Sequence, residues 1–345
     1  MERLSLTNVK NFLRKYGIWV GVVGFLILIL VLILWSKIKS PAPGRIPKLE
    51  IDQSILFRGR GPTVASKIPP SALGSLPQKG GVFKLSPFPN RDAIATIAAK
   101  LSTPTNRGQN PDGELVFTGE SGLLFYNPNT GSLRFNQRSL RKPAEQTSLT
   151  EEELIRNAKS FVFELGLYKT TDEEVVVLNK GYTILSGLEF TPAKDLPRAD
   201  FLDLGFTKLL DRAPIIAQTP TLALTQVKIS KMGEVALLEH IFVETQEATY
   251  YNLKTAEDLL KSLQRGEAFV IKISEEGRRL IELSSPYKLR AVEATSAAFG
   301  YFKDNSSSNL LQPVFKIEGT AKTEADRPAD VVLILPAVAS ELILP

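Results

Sequence analysis

The chain has no cysteine, and its 345 residues include one histidine, two methionines and two tryptophans. Without cysteine there are no disulfides, no cysteine nucleophiles and no thiolate-held metals. One histidine is too few for the usual zinc sites, which draw several ligands from His and Cys. That residue, His240, lies in the strand-like run "EVALLEHIFVET", and no G-x-S-x-G elbow accompanies it. It reads as a surface or pocket-edge residue of a strand. "GRGP" at 59–62 lacks the Lys-Ser/Thr of a phosphate loop. "KDLPRADFLD" offers Asp195, Asp200 and Asp203 but neither the glycine nor the closing glutamate of a calcium loop. These acids read as turn residues and the solvated face of a strand. No catalytic, cofactor-binding or metal-ligating residue is assigned, no cofactor is expected, and the chain is not read as an enzyme.

What the chain does have is one long apolar run. Residues 17–35, "GIWVGVVGFLILILVLILW", carry no charge. As a helix rising ~1.5 Å per residue they reach ~28 Å, about the hydrocarbon thickness of a bilayer. Trp19 and Trp35 sit near its ends, where amphipathic rings favour the headgroup region. No small-x-small cleavage site follows, so the run reads as a retained transmembrane anchor rather than a removed signal. Arg14, Lys15, Lys37 and Lys39 flank it as interface anchors. Gly17, Gly21 and Gly24 form a small-residue stripe that could let a second helix approach closely.

Charge location matters more than the net value of +5. Residues 1–48 hold eight basic side chains and one acid, which leaves 34 basic and 36 acidic residues in the remainder. A body that is slightly acidic has little attraction to phosphate backbones, so nucleic acid is not an expected partner. The basic flanks are too evenly balanced to orient the run. A short tail, one span and a long body together suggest a signal-anchor layout, with the N-terminus cytoplasmic and the body extracytoplasmic at the cell membrane.

The organisation expected is a tail at 1–16, a transmembrane helix at 17–36 and a Pro/Gly-rich linker at 37–90. A first α+β unit follows at 91–230 and a second at 231–345. Apolar spacing predicts a helix over 91–101. "GELVFTGESGLLFYNPNTGSLRFN" contains three short apolar runs separated by turn residues and predicts an antiparallel meander. Thr150 with Glu153, and Thr255 with Asp258, match capping boxes that open helices ending at Gly166 and Gly266. The fold class expected is thus α+β: one N-terminal transmembrane helix, then antiparallel sheets each packed by one or two helices.

"DAIATIAAKLS", "LVFTGESGLLFYNPNTGSLRF" and "LTEEELIRNAKSFVFELGL" occur in an order that resembles a PepSY-like unit. "TAEDLLKSLQRGEAFVIKI", "LRAVEATSAAFGYF" and "LLQPVFKIEGTA" resemble a second. The chain is similar in this respect to the YycH/YycI group of membrane-anchored regulators, over roughly residues 90–320. The resemblance implies two PepSY-like units and a role in binding and restraining a membrane sensor kinase, with no catalytic residues. The expected function is therefore an anchored, extracytoplasmic binding or regulatory protein, acting on a sensor kinase or an envelope assembly. Its expected partners are the lipid bilayer and a membrane protein or a second copy of itself. A cell-envelope hydrolase using paired carboxylates and a structural subunit of a surface assembly are the alternatives.

Overall fold

The computed structural model describes residues 44–49, 62–138, 149–169, 171–187, 189–219, 221–275, 278–279, 289–303, 309–323 and 326–344. Strands are the dominant element, and 18 of them join in one hydrogen-bonded network. This corrects the expected fold class, in which separate sheets each carried their own helices beside a transmembrane span. Among the described residues no helix is long and apolar enough to cross a membrane. The expected single-pass anchoring and the extracytoplasmic placement built on it therefore lose their support. The apolar run, with Gly17, Gly21, Gly24, Trp19, Trp35, Arg14, Lys15, Lys37 and Lys39, lies outside the described residues.

One part of the network is a fully antiparallel sheet. Its strands, numbered along the chain, are β3 (Thr105–Gln109), β4 (Leu115–Thr118), β5 (Gly122–Asn127), β6 (Ser132–Gln137), β7 (Val175–Ser186), β8 (Glu189–Pro192), β9 (Phe201–Leu210), β11 (Thr225–Ser230) and β12 (Val235–Ile241). They lie side by side in the order β3-β4-β5-β6-β12-β11-β9-β7-β8. The expected meander is β4-β5-β6. Alternation along β6 sends Leu133 and Phe135 to one face and Ser132, Arg134 and Asn136 to the other.

The apolar face is covered by two helices, α2 (Arg91–Lys100) and α3 (Glu151–Glu164). Ile94, Ile97 and Ala98 from α2 and Leu154, Ala158 and Val162 from α3 are buried in one core with Phe117, Leu124, Phe135, Val227 and Leu238. Local chemistry starts α3: Thr150 Oγ1 accepts from Glu153 N at 3.3 Å, and Thr150 N donates back to Glu153 Oε2 at 2.9 Å. Gly166, at φ +75°, supplies the left-handed stop.

The other part is mixed. β14 (Phe269–Glu275), β18 (Pro328–Pro336), β17 (Leu310–Thr323) and β16 (Leu289–Lys303) pair antiparallel, and β15 (Arg278–Arg279) adds to β14. β13 (Thr245–Asn252) pairs with β2 (Lys79–Leu85), which in turn pairs with the start of β17. Two short strands, β1 (Val64–Ser66) and β10 (Ala213–Ala217), run parallel to β16 on its far side. The Pro/Gly-rich stretch thus supplies β1, β2 and, between them, the short helix α1 (Pro70–Gly74). Helix α4 (Ala256–Gln264) buries Leu259 and Leu263 against Phe315, Ile317, Val331 and Leu333.

β10 connects the two parts. Ala213 and Pro214 pair with the end of β9, and Ile215, Ile216 and Ala217 then pair with β16. The β9–β10 turn places two non-glycine residues, Asp211 and Arg212, at φ +49° and +65°, a conformation most side chains avoid. The turn is held from outside, because Asp211 Oδ2 accepts from the hydroxyls of Tyr250 at 3.0 Å and Tyr301 at 3.2 Å. That hydrogen bond raises the Tyr250 pKa, while burial is the main cause of the raised Tyr301 pKa. Gly300 completes the junction, since a Cβ there would lie 2.9 Å from both the Pro214 carbonyl oxygen and Ile216 Cδ1. The substitution Gly300→Ala should therefore lower unfolding free energy by about 1–3 kcal/mol, the usual cost of overpacking. Urea denaturation followed by circular dichroism measures it, and an unchanged midpoint would contradict this account of the junction.

Candidate functional site

The face of the antiparallel sheet opposite α2 and α3 carries the polar side chains. Register aligns Gln226 on β11 with Glu239 on β12, Glu239 with Arg134 on β6, and Arg134 with Phe125 on β5. These four residues form a row across the strands at steps of ~4.8 Å. Arg134 is exposed, and Gln226, Glu239 and Phe125 are half-buried. The Arg134 guanidinium lies over the Phe125 ring, 4.9 Å from its centroid, a favourable cation–π geometry. Directly opposed charges of unlike sign usually pair across strands. Here the guanidinium is stacked on an aromatic ring instead.

Gln226, Glu239 and Arg134 of this row line part of a groove of about 380 Å³. Thr130, Ser132, Thr219 and Thr221 add hydroxyls to its lining, Leu224 and Ile241 add apolar surface, and Glu114 adds a second carboxylate. Some of these groups are already engaged. Glu114 Oε2 accepts from Asn110 Nδ2 at 3.0 Å, and Thr219 Oγ1 donates to the Ala223 carbonyl at 3.1 Å. Beside Thr219 and Thr221, Ala217 N donates to the Leu222 carbonyl and Leu222 N to that of Thr219, both at 3.0 Å. The groove holds one cation and two carboxylates, so its formal charge is −1. Among the described residues no cluster of three or more metal-ligating side chains occurs.

Further along the same face the sheet is closed over. Asp203 on β9 stands directly opposite Lys228 on β11, and the two form an ion pair with both side chains more than nine-tenths buried. Lys228 Nζ also donates to Thr183 Oγ1 at 2.8 Å and lies 4.2 Å from the centre of the Phe190 ring. Phe190 in turn packs edge-on against Phe201 at 5.4 Å. The β7–β8 hairpin thus covers the pair, and the open part of the face begins at Gln226. This corrects the reading of Asp203 as a solvated strand residue. Asp200 and Asp195 serve the backbone: Asp200 Oδ2 accepts from Leu185 N at 3.0 Å, and Asp195 Oδ1 from Arg198 N at 3.3 Å.

His240 is also corrected. It alternates with Glu239 and Ile241, so its ring projects to the helix-covered side and is only 3% exposed. Nδ1 lies 2.7 Å from Thr225 Oγ1, which lies 2.6 Å from the Tyr168 hydroxyl. The ring also meets Tyr168 and Phe242 edge-on, at centroid distances of 5.5 and 4.6 Å. Nε2 is buried without a hydrogen bond in this environment. Desolvation lowers the pKa to about 3, so the imidazole is neutral. Its ring packs between Tyr168 and Phe242, and the residue also borders the groove.

No family model matches the chain, and no curated protein matches it. Among solved structures it is similar to an uncharacterized protein from Eubacterium rectale ATCC 33656. The TM-score is 0.39 and the identity 13%, over 74% of this chain and 82% of that one. A likeness at this level carries no argument, and the PepSY-like resemblance rests on its motifs alone.

Gln226, Glu239 and Arg134 belong to no motif in the sequence. The one usable signal was the alternation that marks Arg134 and Glu239 as outward-facing. Nothing in the sequence shows that β6 and β12, some hundred residues apart, are neighbours.

Two measurements test this description. The unfolded chain binds a proton at His240 near pH 6.5 and the folded chain only near pH 3. Stability from this group is complete above about pH 6.5 and falls as pH drops towards 3, by up to ~1.4 kcal/mol per unit. Between pH 6.5 and 5, before most carboxylates titrate, the unfolding free energy of wild type should fall while that of His240→Gln stays nearly flat. Equal slopes would place the ring in water. For the covered ion pair, Asp203→Asn or Lys228→Met should each cost about 3–5 kcal/mol, and the double variant Asp203→Leu/Lys228→Met markedly less than their sum. Additive losses in a denaturation cycle would show that the two side chains act independently.

Proposed function

We propose that this protein works by binding, as a regulatory or scaffold component, and that the groove on the open sheet face is its contact surface. The observation that carries the reading is that, among the described residues, no hydrogen bond or ion pair engages the side chains of Gln226, Glu239 and Arg134. Here an amide, a carboxylate and a guanidinium converge on one concave surface, with Arg134 braced by an aromatic ring. The helices already cover the opposite face, so this surface is not needed to close the core. The strands that carry the row are central in the sheet, which gives the site a rigid base and lowers the ordering cost of binding.

A photo-crosslinking residue at Leu237, which neighbours Glu239 on the same face, tests the proposal in the full-length chain. A discrete adduct should form at position 237 and not at the exposed turn residue Met232. Its yield should fall at least fivefold when Arg134→Ala and Glu239→Ala are combined. Equal labelling at 237 and 232, or a yield unaffected by the two substitutions, would sink the reading.

A further inference from the structure

We infer that the groove is a carbohydrate site, taking a neutral oligosaccharide. This deepens the binding reading and rests on it. The first argument is the chemistry of the row. Gln226, Glu239 and Arg134 end in planar groups that each offer two or more donors or acceptors in a fixed fork. Such groups can engage neighbouring hydroxyls in pairs, and every sugar hydroxyl both donates and accepts. The side chains succeed one another at the strand spacing of ~4.8 Å, which presents a graded series of acceptors and donors along one direction.

The second argument is charge. One guanidinium and two carboxylates line the groove. Phosphate or nucleic acid calls for converging cations, and Glu114 and Glu239 oppose that. A neutral polyhydroxylated ligand meets no such penalty, and it can satisfy carboxylate, amide and guanidinium together.

The third argument is the backbone. β6, β11 and β12 each have a partner on both sides, so their main-chain groups are spent in the ladders. A peptide cannot add here as a further strand, and recognition must pass through side chains. Ile241 supplies apolar surface beside the row, suited to the C–H face of a pyranose ring. The volume of about 380 Å³ is that of a small-ligand cleft, and its open form admits a chain longer than one ring.

Titration calorimetry of the full-length chain with cellotetraose, maltotetraose, mannotetraose and chitotetraose tests the assignment, with inorganic phosphate and an acidic decapeptide as controls. At least one tetrasaccharide should bind with one-to-one stoichiometry. Glu239→Ala and Gln226→Ala should each weaken it tenfold or more, while the far-ultraviolet spectrum and melting temperature stay those of wild type. Phosphate should not compete. Binding of none of the four sugars, or binding that survives both substitutions, overturns the carbohydrate assignment. If the Leu237 adduct still forms in that case, the binding proposal stands and only the ligand class fails. If the adduct is also lost, both fail together.

Discussion

A five-residue strand changes neighbours part-way along its length, and both parts of the sheet depend on it. Ala213 and Pro214 belong to the antiparallel ladder with β9, and Ile215, Ile216 and Ala217 belong to the parallel ladder with β16. The change follows a turn in which Asp211 and Arg212 both have positive φ, clamped by two tyrosine hydroxyls from β13 and β16. Gly300 clears the space through which Pro214 and Ile216 pass. Because of this junction, 18 strands form one network. Ile46–Pro345 accordingly forms one compact unit.

The junction also influences what the open face can be. Gln218 and Thr219, which follow β10, and Thr221, which precedes β11, line the groove, and β11 carries Gln226. On the far side of β11, the β7–β8 hairpin folds over Lys228 and Asp203. A charge buried without its partner is expensive, so the pair and its aromatic lid fix where the face stops being accessible. The groove is what remains between that lid and the meander β4-β5-β6.

Elements set by nearby residues were readable in advance. The start of α3 needs only Thr150 and Glu153, three positions apart, and α4 needs only Thr255 and Asp258. The meander needs only two turns and the alternation of Leu133 and Phe135. The assignments that failed involved distant partners. His240 looks like an outward strand residue until Thr225 and Tyr168 are seen to enclose it. Asp203 looks like a turn acid until Lys228 faces it. The groove was illegible because Arg134, Gln226 and Glu239 come from β6, β11 and β12, and no local pattern records that β6 pairs with β12.

The sequence by itself determined the caps, the alternating faces, the absence of thiol chemistry and the charge balance of the body, because each depends on residue type or short-range spacing. Tertiary structure alone decided which polar residues stayed available to a ligand. Gln226, Glu239 and Arg134 converge, while Lys228 and Asp203, two rungs away on the same face, are sealed beneath Phe190. The physical reason is register. Pairing between strands remote in the chain places side chains beside one another, and the packing of a hairpin determines which of them water can reach.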